Sequence, residues 1–330
     1  MPFASIVVPS FNATATLRPT LDSLMVQSYR DLEIIVVDDG STDETAELAA
    51  SYAARDKRIR IVQQANRGLA GARNSGIAAA RGEVIGFCDA DDLWMPGKLS
   101  AHVAHLAAAP EVGLSYSGSA LIDTEGRRTG HAQTPRLRNV TAAHVFKRNP
   151  VGNGSAPVFR RAALDALAWR PRFEKTRDWV FDESFRQSED IECWTRFALT
   201  TDWRVEGVAG LLTCYRINPG GLSANTEAQL ASWERMVDKL RPVAPAFFAR
   251  HESAARAYQL RYLARRAVSD ADGATARALI TNALRLSKAP LREEPVKTVT
   301  TWAAAQVLDR AGPAALSAAK SIHPKFRSAR

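Results

Sequence analysis

The first ninety residues alternate between short apolar runs and amphipathic stretches, and this alternation constrains the fold more than any other feature. The strand candidates are residues 6–8, 33–37, 59–62 and 84–88. The helix candidates, with apolar residues at helical spacing, are residues 14–27, 43–55 and 69–80. Strand–helix repetition of this kind predicts an α/β fold with a mostly parallel sheet flanked by helices on both faces.

The pattern changes twice farther along the chain. Beyond Asp92 short strands and helices are mixed, and past Asn225 the sequence is almost wholly helical. We therefore predict an α/β domain over residues 1–225, divided at residue 95 into a ligand-binding half and a second half over 96–225. A basic helical C-terminal region is predicted over 226–330, with the boundary near Asn225.

The positive charge is concentrated in this last region. Residues 226–330 hold eighteen Lys and Arg against nine Asp and Glu, which accounts for the whole net charge of +9. Along residues 254–268 Arg256, Arg261, Arg265 and Arg266 are predicted to lie outside an apolar stripe. Two interpretations remain: the arginines are simply solvated, or they form a surface for anionic membrane.

Composition indicates a globular protein in a reducing compartment. No apolar run approaches the ~20 residues of a membrane-spanning helix. The first five residues lack the basic and apolar regions of a secretory signal. Cys88, Cys193 and Cys214 are widely spaced without metal-ligand spacing, which favours free thiols. We expect a cytoplasmic protein, and the inner face of the membrane is one location within the cytoplasm that this expectation includes.

Polar segments follow all four strands, at the edge where ligands of such sheets bind. In chain order they are Pro9-Ser10-Phe11-Asn12, Asp38-Asp39-Gly40-Ser41-Thr42-Asp43, Asn66-Arg67-Gly68-Leu69-Ala70-Gly71-Ala72-Arg73-Asn74 and Asp89-Ala90-Asp91-Asp92. Any single segment is explained by a polar turn that caps a helix. The ordered set favours a shared ligand site.

The acidic segment is the first candidate for chemistry. Asp89 and Asp91 are two apart after a buried run, so in an extended chain they face the same side. They are candidates for binding one hard divalent cation through oxygen ligands. The alternative is a solvated acidic turn that caps the helix after Pro96.

The second strand ends in two further carboxylates. One of Asp38 and Asp39 is expected to accept a hydrogen bond from a ribose or a base, and the N3–H of uracil or thymine is a suitable donor. The alternative is an Asx-type turn completed by Gly40. Arg67 and Arg73 offer guanidinium donors beside glycines that let the backbone approach a phosphate.

Together, the four segments resemble those of the family 2 glycosyltransferases with the GT-A fold, densely over residues 4–95 and patchily to about 220. The resemblance implies that Pro9, Phe11 and Asp39 line the base and ribose pocket. It implies that Asp91 is the principal ligand of Mn²⁺ or Mg²⁺, with Asp89 helping. The full set of predicted nucleotide-binding residues is Pro9, Ser10, Phe11, Asn12, Asp38, Asp39, Asn66, Gly71, Arg73, Asp89 and Ala90.

A second family element lies at Gln187-Ser188-Glu189-Asp190-Ile191-Glu192-Cys193-Trp194. It resembles the Glu-Asp motif at a helix start that supplies the catalytic base in this family. By position Asp190 is the predicted base, with Glu189 beside it. The alternative is a helix cap, since acidic residues stabilise helix N-termini.

The implied activity is inverting, metal-dependent transfer of a sugar from a nucleotide-diphosphate sugar to an acceptor hydroxyl. A UDP-sugar is favoured, and the acceptor is expected to be a glycan or lipid-linked glycan of cell-surface polysaccharide or glycoconjugate biosynthesis. No nucleic-acid partner is expected, because the basic tail lacks a reading motif. A non-catalytic nucleotide- or glycan-binding relative is the main alternative. A dinucleotide-dependent oxidoreductase lacks support, since no Gly-x-Gly-x-x-Gly follows the first strand.

Three features do not fit the resemblance closely. The chain has no Gln-x-x-Arg-Trp motif, which argues against a processive synthase. Residues 169–179 are unusually aromatic, so the acceptor side is not assigned from the sequence. His102 and His105 are three apart, which is compatible with a metal pair, but without a third ligand they are predicted to be surface residues.

Overall fold

The computed structural model describes residues 3–218 and 226–322, with side chains to residue 318. The chain divides into two compact units. The first contains Met1–Val145 and Asn149–Gly221, and the second contains Phe146–Arg148 and Leu222–Arg330. The predicted boundary near Asn225 lies outside the described residues.

The first unit is built around one large sheet. Its strands are β1 Ala4–Ser10, β2 Leu32–Asp38, β3 Ile59–Gln63, β4 Val84–Phe87, β5 Leu93–Trp94, β6 Val112–Ile122, β7 Arg128–Gln133, β8 Val158–Arg160 and β9 Arg204–Arg216. Its helices are α1 Thr14–Met25, α2 Thr45–Ala53, α3 Gly68–Ala79, α4 Lys98–Ala108, α5 Ala142–Arg148, α6 Arg161–Leu167 and α7 Glu189–Thr200. The last three residues of α5 belong to the second unit.

Within the described chain the sheet has the order β3-β2-β1-β4-β8-β6-β9-β5, and β7 pairs with β6. The strands from β3 to β4 are parallel, as the strand–helix repetition predicts. Strand β8 is antiparallel to β4 and β6, whereas β6 and β9 are parallel. The fold is therefore mixed α/β, with its parallel part in the first ninety residues.

Alternating residues of the central strands bury themselves in two separate cores. Val7 and Ile35 pack into one core, whereas Ile6 and Ile34 pack into the other. This alternation places apolar side chains on both faces of β1 and β2, and helices cover both faces. Polar side chains can therefore reach solvent mainly beyond the strand ends.

The second unit is helical: α8 Thr226–Leu240, α9 Pro245–Ser269, α10 Gly273–Leu286, α11 Ala289–Glu293 and α12 Pro295–Ile322. Its core is assembled from small and aliphatic side chains of α9, α10 and α12. Among the described residues no helix combines the length and the apolar character needed to cross a bilayer.

The expected arginine surface of α9 is not present as predicted. Arg261 is buried, where it pairs with Glu294 and donates to Thr298 Oγ1 at 3.0 Å. Arg256 pairs with Glu234 and Glu252. The prediction that these arginines lie on an exposed face is therefore wrong for Arg261, because Glu294, between α11 and α12, pairs with its buried guanidinium.

Candidate active site

The predicted polar segments converge at the carboxyl edge of the parallel strands. Strands β1 and β2 end together, with Ser10 paired to Asp38. The turn after β4 is placed beside β1 by the hydrogen bond from the Cys88 N–H to the Val7 carbonyl, at 3.0 Å. This edge therefore carries the carboxylates predicted for base, ribose and metal.

The acidic turn after β4 presents Asp89 and Asp91 with part of each side chain exposed. Arg73 Nη2 donates to one oxygen of Asp89 at 2.8 Å, and Asn218 Nδ2 donates to one oxygen of Asp91 at 2.7 Å. In the described chain, the second oxygen of each carboxylate accepts no hydrogen bond from another residue. Two carboxylates, each with an oxygen to spare, fit the ligand preference of Mg²⁺ or Mn²⁺.

The electrostatics of this turn also favour a cation. Burial, together with the negative charge of Asp89, raises the pKa of Asp91 to about 6. Neighbouring Asp92 is fully buried, and burial with the charge of Asp91 raises its pKa well above the usual range. A divalent cation would relieve this accumulated repulsion. The described residues contain no cluster of three or more His, Cys, Asp or Glu suited to a metal, so the chain would supply few of the ligands.

The acidic turn does not cap the helix that follows. The N-cap of α4 is Gly97, which has no side chain that could cap the helix. Asp92 instead accepts from the backbone N–H of Arg216 at 2.8 Å, and Arg216 Nε donates to the Asp91 carbonyl at 2.7 Å. The end of β9 thus supports the turn from a point 125 residues away along the chain.

Arg73 connects the acidic turn to the second predicted motif. Its buried guanidinium donates to Asp89 at 2.8 Å and to Glu189 Oε1 at 2.5 Å. It also stacks over the ring of Phe181, 5.3 Å from the centroid. Although burial opposes it, the charges of Asp89 and Glu189 raise the pKa of Arg73 above its ordinary value. A sequence-predicted partner of the nucleotide is therefore a buried bridge between two carboxylates.

The Glu-Asp motif opens α7, as predicted. Ser188 adopts a left-handed conformation with φ of 60° and makes no side-chain cap, and Glu189 turns toward Arg73 instead of the helix end. Asp190 is partly exposed and accepts from the Ile191 N–H at 2.7 Å. Burial and the charge of Glu189 raise the pKa of Asp190 to about 7. A carboxyl group that titrates near neutral pH is suited to accepting a proton.

Asp39 is buried at the end of β2 and reaches across to α3. Its carboxylate accepts from the backbone N–H groups of Arg67 and Gly68, both at 2.8 Å, and from Gln64 Nε2 at 2.6 Å. It therefore caps the N-terminus of α3 from a neighbouring strand. A carboxylate has about four acceptor positions, so these three hydrogen bonds leave about one position unused.

Asp38 forms the local turn that the sequence left open as an alternative. Its Oδ1 accepts from the Ser41 N–H at 3.1 Å, and Gly40 has φ of 77°. A side chain at Gly40 would also lie 3.0 Å from the Asn66 nitrogen. Asp38 thus shapes the loop, and its neighbour Asp39 faces the α3 terminus.

The first polar segment is divided between scaffold and surface. Pro9 and Ser10 are buried in β1, whereas the ring of Phe11 is 51% exposed. Asn12 has φ of 49°, and its Oδ1 accepts from the Thr42 N–H at 2.8 Å. Phe11 is therefore the member of this segment that is free to contact a ligand face.

Much of the third segment is engaged with the aromatic stretch that precedes α7. Arg67 pairs with Glu174 and Glu183, and the Gly71 carbonyl accepts from Arg177 Nη2 at 2.9 Å. Asn66 lies exposed beside this region, and Ala90 is buried in the acidic turn. A Cβ atom added at Gly71 would lie 2.4 Å from the Cβ of Arg67 and 3.3 Å from a carboxylate oxygen of Glu183.

A loop between α5 and β8 contributes residues that the sequence analysis missed. Ser155 Oγ accepts from the Asp89 N–H at 2.8 Å, and its carbonyl accepts from the buried amine of Lys98 at 2.6 Å. At Gly154 a Cβ atom would lie 2.1 Å from Arg73 Nη2. The signal available in the sequence was Gly152-Asn153-Gly154-Ser155, which marks a turn without indicating its partner.

Lys98 joins this loop to β9. Its ammonium group donates to the carbonyls of Ser155 and Ala156 and to Thr213 Oγ1 at 2.6 Å. It also lies 4.4 Å from the ring centroid of Trp94. Burial lowers the pKa of Lys98 to about 7. The amine of Lys98 therefore connects α4, the loop before β8 and strand β9 around the acidic turn.

The prediction that His102 and His105 are surface residues is wrong. His102 is fully buried, and both Nδ1 atoms lie within hydrogen-bonding distance of Ser115 Oγ, at 2.7 and 2.8 Å. The helix face they share packs against β6, so their three-residue spacing serves one buried hydroxyl. Burial lowers the pKa of both imidazoles.

The chain is similar in sequence to known glycosyltransferases. Residues 5–167 match the family described as Glycosyl transferase family 2. The uncharacterized glycosyltransferase EpsJ of Bacillus subtilis is 51% identical over 226 residues, which are 68% of this chain and 63% of that protein. The uncharacterized glycosyltransferase alr2836 of Nostoc is 34% identical over 182 residues, or 50% of this chain and 55% of that protein. The chain thus spans less than two thirds of these relatives.

Solved structures share the fold across nearly the whole chain. A fragment of S. aureus TarS in complex with UDP-GlcNAc has a TM-score of 0.58 at 18% identity, covering 94% of this chain and 90% of that one. The mannosyltransferase PcManGT from Pyrobaculum calidifontis, in complex with GDP-Man and Mn²⁺, has a TM-score of 0.54 at 20% identity. It covers 99% of this chain and 82% of that one.

The mixed sheet with a helical C-terminal region is of the GT-A type. The chain belongs to the family 2 glycosyltransferases.

Proposed function

We propose that this chain is an inverting glycosyltransferase that moves a sugar from a nucleotide-diphosphate sugar to an acceptor hydroxyl. The observation that carries the proposal is the position of Arg73. One buried guanidinium holds Asp89 of the acidic turn and Glu189 of the α7 motif at the same time. The acidic turn and the α7 motif, a hundred residues apart along the chain, are thereby held together, which supports a shared site.

In the proposed reaction Asp190 acts on the acceptor. Its carboxylate takes the proton of the acceptor hydroxyl while that oxygen forms a bond to the anomeric carbon of the donor. The bond from the anomeric carbon to the diphosphate breaks in the same step, and the electron pair leaves with the nucleoside diphosphate. Attack from the face opposite the leaving group inverts the anomeric configuration.

Asp89 and Asp91 would hold the divalent cation, Mn²⁺ or Mg²⁺, with nucleotide oxygens and water as its other ligands. When bound, the cation would neutralise charge on the departing diphosphate. The support is the pair of part-exposed carboxylates and the raised pKa of Asp91. The PcManGT complex, which shares the fold and contains Mn²⁺ with GDP-Man, gives further support.

A uridine donor is favoured by the free acceptor position on Asp39, which suits the N3–H of uracil. Phe11 is exposed, follows strand β1 where it pairs with the end of β2, and offers a ring face to the base. TarS was solved with UDP-GlcNAc, which supports a uridine donor, whereas PcManGT was solved with GDP-Man. The acceptor is proposed to be a glycan or lipid-linked glycan in cell-surface polysaccharide or glycoconjugate synthesis.

The proposed division of labour assigns residues 1–225 to catalysis and residues 226–330 to a basic helical region. A cytoplasmic location is proposed from the three buried free thiols. The remaining alternative is a non-catalytic binding relative, which would keep the sheet while losing turnover.

The decisive experiment incubates the full chain with a panel of nucleotide sugars, Mn²⁺ and candidate glycan acceptors, and measures release of the nucleoside diphosphate. Product NMR then gives the anomeric configuration. Turnover with an inverted product supports the proposal. Tight nucleotide binding without turnover by any donor and acceptor would favour the non-catalytic relative, and a retained configuration would contradict inversion.

A further inference from the structure

Helix α12 carries its apolar and polar residues on unexpected faces. The side facing α9 and α10 buries Thr298 and Thr301, and the opposite side leaves large apolar residues in solvent. Val296 is 61% exposed, Val299 is 50% exposed and Trp302 is 46% exposed. An amphipathic helix that only packs on its own core would show the reverse pattern.

The buried threonines are compatible with the core because their hydroxyls are satisfied. Thr298 Oγ1 donates to the Pro290 carbonyl at 2.6 Å, and Thr301 Oγ1 donates to the Lys297 carbonyl at 2.7 Å. Ala304, Ala305 and Leu308 complete this buried face. Folding of the helical unit therefore explains the inner face of α12 and leaves the outer face without a structural role.

The exposed apolar residues form a continuous surface. Val296, Val299 and Ala303 follow the three- and four-residue spacing of one helix face, and Trp302 lies along its border. We call these four residues the α12 face. Isolated apolar residues on a surface are ordinary, whereas a contiguous row that includes a tryptophan indicates an interaction site.

The charges around the α12 face identify the kind of partner. The three acidic residues between positions 288 and 310 are all neutralised: Glu293 by Lys147, Glu294 by Arg148 and Arg261, and Asp309 by Arg277. Lys288, Arg292 and Arg310 are exposed and take part in none of the ion pairs that the described residues make. Along residues 288–310, the sequence that contains the α12 face, the charge left outside these ion pairs is therefore positive.

We propose that the α12 face docks on an anionic lipid bilayer, with Val296, Val299 and Trp302 inserted at the interface and Lys288, Arg292 and Arg310 over the headgroups. The bilayer would present the lipid-linked acceptor of the proposed function, and the inference rests on that function for its biological purpose. Tryptophan and aliphatic residues beside unpaired basic residues are the composition of helices that lie in the plane of a membrane surface.

The same charges disfavour two other occupants. A second copy of the chain would bring like-charged surfaces together. The chain's own sequence after residue 318 is the other occupant, and it would bring four more positive charges to this basic surface and no acidic residue. These charges are Lys320, Lys325, Arg327 and Arg330. An anionic bilayer is complementary to the basic residues beside the α12 face and to those of the C-terminal sequence. Each basic residue near such a surface adds to the attraction.

The test is co-sedimentation of the full chain with vesicles of phosphatidylcholine alone or with phosphatidylglycerol. The wild type is expected to pellet with the anionic vesicles at low salt, and high salt should weaken binding. The triple variant Val296→Ser, Val299→Ser, Trp302→Ser should lower the partition coefficient about tenfold or more. Val243→Ser, which changes a 55% exposed valine on the loop between α8 and α9, is the matched control and should bind like the wild type.

A second variant separates charge from apolar contact and guards against misfolding. Lys288→Gln, Arg292→Gln, Arg310→Gln should keep the far-ultraviolet spectrum and lose binding that depends on phosphatidylglycerol. Equal pelleting of both triple variants and the wild type, or binding that ignores lipid charge, would overturn the proposal. Self-association in sedimentation equilibrium that only the apolar triple variant abolishes would also overturn it, in favour of a second copy.

Nucleotide release in solution distinguishes this proposal from the proposed function. The triple variants should release nucleotide from the donor at the wild-type rate with a water-soluble acceptor, because α12 lies in the helical unit and not among the site residues. If the wild type binds vesicles but shows no turnover, the proposed function is contradicted and the membrane proposal is not. Turnover without vesicle binding would fail the membrane proposal alone.

Discussion

Arg73 and Glu189 form an ion pair that is buried on both sides, with their side chains only 2% and 5% exposed and Nη1 lying 2.5 Å from Oε1. The second amino group of the same guanidinium holds Asp89. Buried ion pairs are costly to break because the remaining charge has no partner.

Arg73→Ala should lower the free energy of unfolding by ~3–5 kcal/mol, since Glu189 would be left buried and uncompensated. The measurement is urea denaturation followed by circular dichroism. Adding Glu189→Gln to Arg73→Ala should restore part of the loss, because the buried charge is removed. A double variant no more stable than the single variant would show that the pair does not act as a unit.

Gly154→Ala should disturb the same bridge by crowding. The new Cβ would lie 2.1 Å from Arg73 Nη2, so the guanidinium or the loop must move. We expect a loss of ~1–3 kcal/mol in the free energy of unfolding, typical of overpacking. Turnover should also fall, and by more than in the control variant. Gly97→Ala is the control, since nothing lies within 4 Å of its Cβ position. Similar behaviour of the two variants would contradict crowding of Arg73 by the added methyl group.

Asp190 should impose a pH dependence on catalysis. A general base must be deprotonated, and the pKa of Asp190 is raised to about 7. The value of kcat/KM should therefore rise with pH up to about 7 and level off above it. Steady-state rates across a series of overlapping buffers measure this limb.

Asp190→Asn supplies the comparison for that profile. It should reduce transfer by ~10²- to 10⁴-fold, keep nucleotide affinity in calorimetry and lose the acidic limb. If this variant loses UDP affinity while keeping its maximal rate, Asp190 belongs to the donor pocket and not to the acceptor.

Asp91→Asn should abolish metal-stimulated turnover with little loss of stability, because the change removes charge from a turn where carboxylates repel one another. Chelation by EDTA should silence the wild type, and Mn²⁺ should restore it. Turnover and Mn²⁺ affinity are measured together, with exposed Asp178→Asn as the control. Full activity of the wild type in EDTA would remove the metal from the mechanism.

Asp39→Ala should weaken UDP binding by ~1–3 kcal/mol, the usual cost of leaving a buried partner unpaired. The wild type should bind UDP more tightly than CDP, because cytosine presents a lone pair where uracil presents N3–H. Calorimetry with both nucleotides tests the preference. Equal affinity for UDP and CDP would contradict base recognition by this carboxylate.

The parallel half of the sheet was predictable because its information is local. Strands β1 to β4 are buried runs followed by polar turns, and each helix between them has its own apolar period. The carboxylates Asp39, Asp89 and Asp91 could be placed at one edge for the same reason, since parallel strands end together.

The partners of those carboxylates were not predictable. Whether Arg73 faces a phosphate or the interior depends on Glu189, which lies 116 residues away. Gly154 and Ser155 look like an ordinary turn until the fold brings them to Asp89. Likewise, the burial of Arg261 depends on Glu294, which lies between α11 and α12. Charge and periodicity within one segment carry no information about such distant neighbours.

Because β9 supports the acidic turn, that turn gains its support only late in the synthesis of the chain. Asp91 emerges from the ribosome early, yet Arg216 and Asn218, which hold its carbonyl and its carboxylate, are synthesised 125 and 127 residues later. Arg216 and Asn218 reach Asp91 only after strand β9 has paired in parallel with β6. Such distant pairing is intrinsically slow. A nascent chain that ends at residue 167, where the family match ends, would contain the acidic turn without its support. The donor site should therefore mature late, after most of the sheet has been translated.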